Sequence, residues 1–266
     1  VICETETVVL AGNAENFSNV IWETSGDGTF DNETALNTVY HPGIEDINAE
    51  TAELTLNAVA LSLCADASDQ MVVTIDRNPL VNAGEDQAIC ETGVVQLSAT
   101  ADFYSGLQWS TGGDGTFDDA TAPNAVYTPG ASDIAGGSVN LCITAFANGS
   151  CSDAEDCMNV AIEASPIAIT GDDQVICETE TVVLAGNAEN FSSVLWETSG
   201  DGTFDDETAL NTIYHPGIED INAGTVEITL NAVALSLCAD IADQMMVTID
   251  RNPVVDAGED QVICET

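Results

Sequence analysis

Lysine is absent from this chain of 266 residues, and arginine occurs only twice, at Arg77 and Arg251. Against those two bases stand 46 acids, for a formal net charge of −44. A surface of that sign has nothing with which to neutralise phosphates, so nucleic acid is excluded as a partner. Two histidines and no lysine leave few groups for acid–base or nucleophilic catalysis near neutral pH. Apolar runs are short, none approaching the roughly 18–20 residues of a membrane helix, so membrane insertion is not expected. The window opens at Val1 and contains no signal-peptide pattern. No stretch carries convincing helical periodicity. Hydrophobic residues nonetheless reach 45%, enough for packed cores and too many for wholesale disorder. The charge suits a strongly hydrated extracellular surface and invites divalent cations.

Repetition organises what is present. Cys3, Cys90, Cys177 and Cys264 follow one another at steps of 87 residues, and so do Cys64, Cys151 and Cys238. Trp22, Trp109 and Trp196 keep the same step, as do Tyr40, Tyr127 and Tyr214, and Pro79, Pro166 and Pro253. The chain therefore reads as three copies of one unit and the start of a fourth. The expected domains are 1–78, 79–165 and 166–252, with 253–266 opening the next. Copies one and three differ at 13 of 90 aligned positions, and both are far from copy two, so the units alternate in kind. The phrase VICET stands at Val1–Thr5 and again at Val262–Thr266, which reads as an excerpt from a longer array.

Within a unit, short runs rich in Val, Ile, Leu and Thr are separated by Gly, Asn, Asp and Pro clusters, the pattern of an all-β fold. In the third copy the expected strands are an opening strand of the VVDAG type, then 181–185, 194–198, 212–214, 225–234 and 244–250. The loops IEDINA and LCADASD are expected to hold single helical turns. Roughly seven short strands per unit with one tryptophan on the third fit an immunoglobulin-like β-sandwich. Trp22, Trp109 and Trp196 are then core residues. Linkers of a few residues around Asn78–Pro79 imply sandwiches stacked end to end as a rod.

The phrases AGEDQVICETETVVLAG, LWETSGDGTF, YHPGIEDINAGT and MMVTIDRNP resemble the PKD-like, immunoglobulin-type tandem repeats of giant surface proteins in Bacteroidota, including gliding-motility adhesins. The resemblance covers every unit. It implies a cell-surface or extracellular fibrous protein exported by the type IX system, and no enzyme.

Nine cysteines in such a chain suggest disulfides. Zinc fits poorly, for there is no CxxC and no nearby histidine pair. Two connectivities are open. Within units they are Cys3–Cys64, Cys90–Cys151 and Cys177–Cys238; between units they are Cys3–Cys151 and Cys90–Cys238. Cys90 precedes the second strand, at the outgoing pole of its unit, whereas Cys151 lies between the last two strands, at the incoming pole. Strands of seven or eight residues hold those poles roughly 20–25 Å apart, while a disulfide needs Cα atoms within about 7 Å. Topology thus favours the staple between units. Unit two adds Cys142 and Cys157, which flank a hairpin turn at Asn148–Gly149 and are expected to pair across it.

Acidic loops are the candidate binding sites. Each unit has a GDGTFD segment, with Asp27 and Asp31, Asp114 and Asp118, and Asp201 and Asp205. A second turn follows the tyrosine, with Glu45 and Asp46, Asp133 alone in unit two, and Glu219 and Asp220. A third precedes the cysteine, with Glu85 and Asp86, Asp172 and Asp173, and Glu259 and Asp260. Carboxylate oxygens suit Ca²⁺, making these the candidate metal ligands; the plainer alternative is solvated turns chosen for backbone geometry. The EF-hand pattern is absent. His41 and His215 are replaced by Thr128 in unit two, which argues against a catalytic or metal role. Asn16, Asn32, Asn148 and Asn190 head glycosylation-type sequons. No catalytic or cofactor-binding set repeats, and no cofactor is required. The expected function is a structural extracellular fibre or adhesin stalk, partnered by neighbouring repeats, by other fibres or by a surface glycan. The alternative is a glycan-binding module acting through its acidic loops.

Overall fold

The computed structural model describes residues 1–262. It divides into two compact units: one comprises 1–87 with 93–161, the other 88–92 with 162–266. Neither coincides with a single 87-residue copy.

The first copy contains β1 (Ile2–Cys3), β2 (Val8–Ala11), β3 (Phe17–Thr24), β4 (Thr29–Phe30), β5 (Asn37–His41), α1 (Ile44–Ala49), β6 (Thr51–Ala60) and β7 (Ala67–Asp76). Two sheets result, one ordered β1-β7-β6-β3 and the other β2-β5-β4. All pairings are antiparallel except β1 with β7, which run parallel with Ile2 opposite Ile75. The third copy repeats both sheets. Gln174–Cys177, Ile241–Asp250, Thr225–Ala234 and Phe191–Thr198 form the larger one, and Val182–Ala185, Asn211–His215 and Thr203–Phe204 the smaller. Ile167–Ile169 pairs separately with Asn187–Glu189.

Alternation explains the long strands. In Thr225–Ala234, Val226, Ile228, Leu230, Ala232 and Ala234 are buried, while Thr229 and Asn231 face outward, as the two-residue period of a strand requires. Leu141, Ile143 and Ala145 do the same in Ser138–Phe146 and are fully buried. The runs expected at 194–198, 212–214, 225–234 and 244–250 lie on strands, three of them extended by one to three residues, and the run expected at 181–185 is a strand from Val182 on. Gln174–Cys177, Asn187–Glu189 and Thr203–Phe204 were not expected; at two to four residues they carry too few side chains to display a period.

One of the two expected helical turns is found. The IEDINA segments are helices at Ile44–Ala49 and Ile218–Ala223, matched by Ala131–Gly136 in copy two. Each begins after a glycine whose backbone N–H is accepted by an aspartate three residues on, at 2.9–3.0 Å, a helix-start arrangement. LCADASD is not helical. Asp66 there accepts the Ala60 backbone N–H at 2.8 Å and closes a hairpin loop between β6 and β7.

The tryptophans sit in the cores, Trp109 and Trp196 each only 2% exposed. Each indole donates to a backbone carbonyl thirteen residues on, at 3.1, 3.0 and 2.9 Å, so its one polar atom is satisfied. Each also stacks on the phenylalanine of the GDGTF loop at 6.2–6.5 Å between centroids, and that ring packs on the buried tyrosine. Replacing Trp109 with alanine is expected to lower the unfolding free energy by about 3–5 kcal/mol. Urea unfolding followed by circular dichroism measures it, and a loss under about 1 kcal/mol contradicts a core role.

Candidate interaction site at the repeat junctions

The last strand of each copy ends in an acid, and the next copy presents its β6–β7-type hairpin loop to it. In the first such junction Cys3 is bonded to Cys151, with Cα atoms 4.9 Å apart and 148 residues between them. Cys3 is 2% exposed. Its backbone N–H donates to Glu6 Oε2 at 2.8 Å, and the same oxygen accepts the Ser150 hydroxyl at 2.8 Å. These two donors hold the Glu6 carboxyl below the usual carboxylate range. Arg77 lies over the Phe103 ring at 3.9 Å, a cation–π contact, and its Nε is 3.9 Å from Glu4 Oε2. Asn78 donates to Glu4 through both its backbone N–H and its side-chain amide, at 3.2 and 2.8 Å.

The second junction repeats the bond with different neighbours. Cys90 is joined to Cys238, again with Cα atoms 4.9 Å apart across 148 residues. Here Glu163 accepts the Ser236 backbone N–H at 2.9 Å, the Ser236 hydroxyl at 2.6 Å and the Leu237 backbone N–H at 3.3 Å. The serine hydroxyl leads the causes that lower the Glu163 pKa. Cys142 and Cys157 lie directly opposite each other on paired strands and form a third disulfide. Cys64 and Cys177 are free thiols. Cys264 lies outside the described residues. The sulfurs of the within-unit alternative, Cys3–Cys64, Cys90–Cys151 and Cys177–Cys238, are not brought together.

The acidic turns are tied to their own backbone. Asp46, Asp133 and Asp220 are 2–3% exposed. Each accepts the hydroxyl of the copy's buried tyrosine at 2.6–2.7 Å as well as the glycine N–H at the helix start. Asp133 also takes the backbone N–H of Asp114 and Gly115 at 3.3 and 3.1 Å. Asp27, Asp114 and Asp201 return the contact, accepting the backbone N–H of Glu45, Ser132 and Glu219 at 3.0 Å. These reciprocal bonds fasten each GDG loop to its helix. Gly113 is required there, since a Cβ on it would lie 1.5 Å from Asp133 Oδ1.

The remaining acids divide in the same way. Asp31 and Asp205 face His41 and His215 at 2.8 Å on the surface; in copy two, where Thr128 stands in place of histidine, Asp118 instead accepts the Asp119 and Val126 backbone N–H at 2.7 Å. Asp86 and Asp173 each accept one strand N–H, from Asn159 at 2.8 Å and Met246 at 2.7 Å. Glu45 and Glu219 keep exposed side chains. Among the described residues, the one trio of metal-type side chains with ligand atoms within 4.8 Å of one another is Cys142, Glu155 and Cys157. Both of its sulfurs are already spent in a disulfide.

Asp46, Asp133 and Asp220, expected as candidate Ca²⁺ ligands or as turn residues, each lie against a tyrosine hydroxyl that spacing along the chain does not reveal. A signal was available: the aspartate is retained in all three copies while its neighbour changes from Glu45 to Ser132 to Glu219.

No family model matches the chain, and no curated protein matches it. Two solved structures of titin I67–I69, one an E-to-A variant, each align with 94% of this chain over 94% of their own, at a TM-score of 0.56 and 10% and 9% identity. Mouse protocadherin-24 EC1–3 aligns with 94% of this chain over 96% of its own, at a TM-score of 0.45 and 12% identity. At such identities the titin likeness shows the fold. This is a chain of tandem immunoglobulin-like domains. No helix among the described residues is long and apolar enough to cross a membrane.

The buried tyrosines set an alkaline limit. Burial, with the Asp46 carboxylate beside it, pushes the Tyr40 phenol up to about 12, and burial raises Tyr127 and Tyr214 as well. A phenol whose folded pKa exceeds its unfolded value near 10 contributes stability that is complete below pH 10 and lost as pH rises through the folded value. Stability is therefore expected to fall from about pH 10 upward. Ultraviolet titration should show these phenols ionising together with unfolding. Ionisation of all of them near pH 10 with the fold intact contradicts the burial argument.

Proposed function

We propose that this chain is a structural element of an extracellular fibre or adhesin stalk built from tandem immunoglobulin-like repeats, of the kind seen in PKD-like surface proteins of Bacteroidota exported by the type IX route. The observation that carries the reading is the placement of the disulfides. Cys3–Cys151 and Cys90–Cys238 each join one copy to the next, where bonds inside each copy would serve a set of independent domains. A staple at the junction transmits tension covalently and limits bending there. On the chain-entropy account, closing a loop of 148 residues stabilises by about 5 kcal/mol.

Three disulfides support an oxidising compartment. A surface with 46 acids and two bases supports strong hydration and mutual repulsion between fibres. The stalk reading needs no ion, because the buried carboxylates are already served by tyrosine and backbone donors. Negative-stain images of the native material are expected to show a beaded fibre, and isolated compact particles contradict the proposal.

A further inference from the structure

The two junctions share a disulfide, and in both the incoming cysteine sulfur lies against the carbonyl of the acid that ends the preceding strand, at 3.3 and 3.4 Å, but the side chains around the bond differ. In the first, Asp76 meets Gly149. A Cβ on Gly149 would lie 1.9 Å from Asp76 Oδ2, so a larger residue there requires that carboxylate to move, and the glycine's φ of 54° disfavours any side chain in this conformation. In the second, the residue pair is Glu163 and Ser236, and the longer acid reaches the serine hydroxyl and two backbone N–H groups.

A second pair of positions changes in step with the first. Arg77 stacks on Phe103 in the first junction. In the second, Ala164 replaces the arginine and Asn190 replaces the phenylalanine, with Asn190 donating to the Ser165 carbonyl at 3.2 Å. The backbone marks this position. Asn16, Phe103 and Asn190 all have φ of 54–59°. Asparagine tolerates that left-handed conformation, whereas phenylalanine there is an outlier. Retaining an aromatic at such a site points to the arginine above it.

Outgoing faces thus come in two kinds, Asp–Arg and Glu–Ala, and incoming faces in two kinds, Gly–Phe and Ser–Asn. Two faces remain uncovered among the described residues. The outgoing face of copy three is of the Asp–Arg kind, with Asp250 and Arg251. Its cysteine and asparagine already hold the geometry of the covered counterpart: Cys177 N–H donates to Glu180 Oε2 at 2.9 Å, and Asn252 donates twice to Glu178 at 3.2 and 3.0 Å; Arg251, with no ring above it, donates instead to the Ile221 carbonyl at 3.3 Å and to Asn222 Oδ1. The incoming face of copy one is of the Ser–Asn kind, with Ser62 and Asn16. Each uncovered face carries a free thiol, Cys177 on the former and Cys64 on the latter.

The geometry points to a matching rule. The Cys177 face is a docking surface for an incoming face of the copy-two kind, with glycine at the Gly149 position and an aromatic at the Phe103 position. The Cys64 face takes only a Glu–Ala outgoing face. The Cys177 and Cys64 faces of two copies of this chain do not match each other: Ser62 would meet Asp250, and Arg251 would find Asn16 in place of a ring. The inference deepens the stalk reading and rests on it, since it names the partner that such a fibre requires. Its test reads disulfide linkage alone, so failure of the rule is distinguishable from failure of the fibre proposal.

The test uses the full chain with Cys264 replaced by serine throughout, incubated with oxidised glutathione. The Cys177 thiolate attacks the glutathione disulfide and releases one glutathione thiol. The Cys64 thiolate of a second molecule then displaces the other glutathione, so two thiols are oxidised and one glutathione disulfide is reduced to two glutathiones. Non-reducing electrophoresis reads the linked products. The parent chain is expected to stay largely unlinked.

Recoding the incoming face of copy one (Asn16→Phe, Ser62→Gly, Leu63→Ser) should produce a ladder of head-to-tail multimers. Recoding the outgoing face of copy three (Asp250→Glu, Arg251→Ala) should do the same by an independent route. Both recodings in one chain should abolish the ladder again. Relief of an overpacked contact shifts an equilibrium by roughly tenfold or more, which sets the expected difference in linked product. Adding Cys177→Ser to either recoded chain must remove the ladder. Equal ladders in parent and recoded chains, no ladder in either single-face variant, or a ladder that survives Cys177→Ser overturns the rule. Retention of Cys3–Cys151 and Cys90–Cys238, checked by mass, shows that each variant has folded.

Discussion

A disulfide requires two Cα atoms within about 7 Å, and this constraint organises the chain. Each copy carries one cysteine beside its first long-sheet strand and another in the loop between its last two strands. A β-sandwich holds those two places at opposite ends, so neither can bond its companion in the same copy. Bonding is possible only with the neighbour, and the observed Cα separation of 4.9 Å in both staples satisfies it. The short linkers, the acid at the end of each last strand and the paired residues around each bond all serve to present one copy's loop to the preceding copy's cysteine.

The excess of acid has a second consequence. A chain so poor in bases has few side-chain donors to pair with its carboxylates, and among the described residues those in the turns turn to backbone N–H groups, hydroxyls and two histidines. Asp46, Asp133 and Asp220 illustrate it best, each buried and each meeting a tyrosine hydroxyl and helix-start N–H groups. Asp66, Asp153 and Asp240 close the three hairpin loops by the same means, each accepting one N–H at 2.8 Å. Buried carboxylates are tolerable because the donors are in place, and the exposed remainder leaves the surface uniformly negative.

Much of this was legible before any coordinates. The 87-residue step, the alternation of Val, Ile and Leu in segments such as 225–234, and the recurring tryptophan were enough for an all-β tandem array, because those signals are periodic and each copy repeats them. Two- to four-residue strands such as Thr203–Phe204 were invisible, since they exist through pairing with a partner and have no period of their own. The hydrogen bonding of the acidic turns was illegible for a related reason. A carboxylate that caps a buried tyrosine and one that faces solvent have the same letter, and only the fold shows that Tyr40 lies beneath Asp46. The covarying pairs Asp76 with Gly149 and Glu163 with Ser236 were present in the sequence but had no meaning until the junctions brought them together.

The most direct test of the account is disulfide mapping of the unreduced native chain. Digestion at its many aspartates and glutamates, followed by mass spectrometry, identifies which cysteine-bearing peptides remain joined. The account requires peptides linking Cys3 to Cys151 and Cys90 to Cys238. Peptides linking Cys3 to Cys64, Cys90 to Cys151 and Cys177 to Cys238 contradict it, and with it the claim that the covalent bonds of this chain serve its junctions.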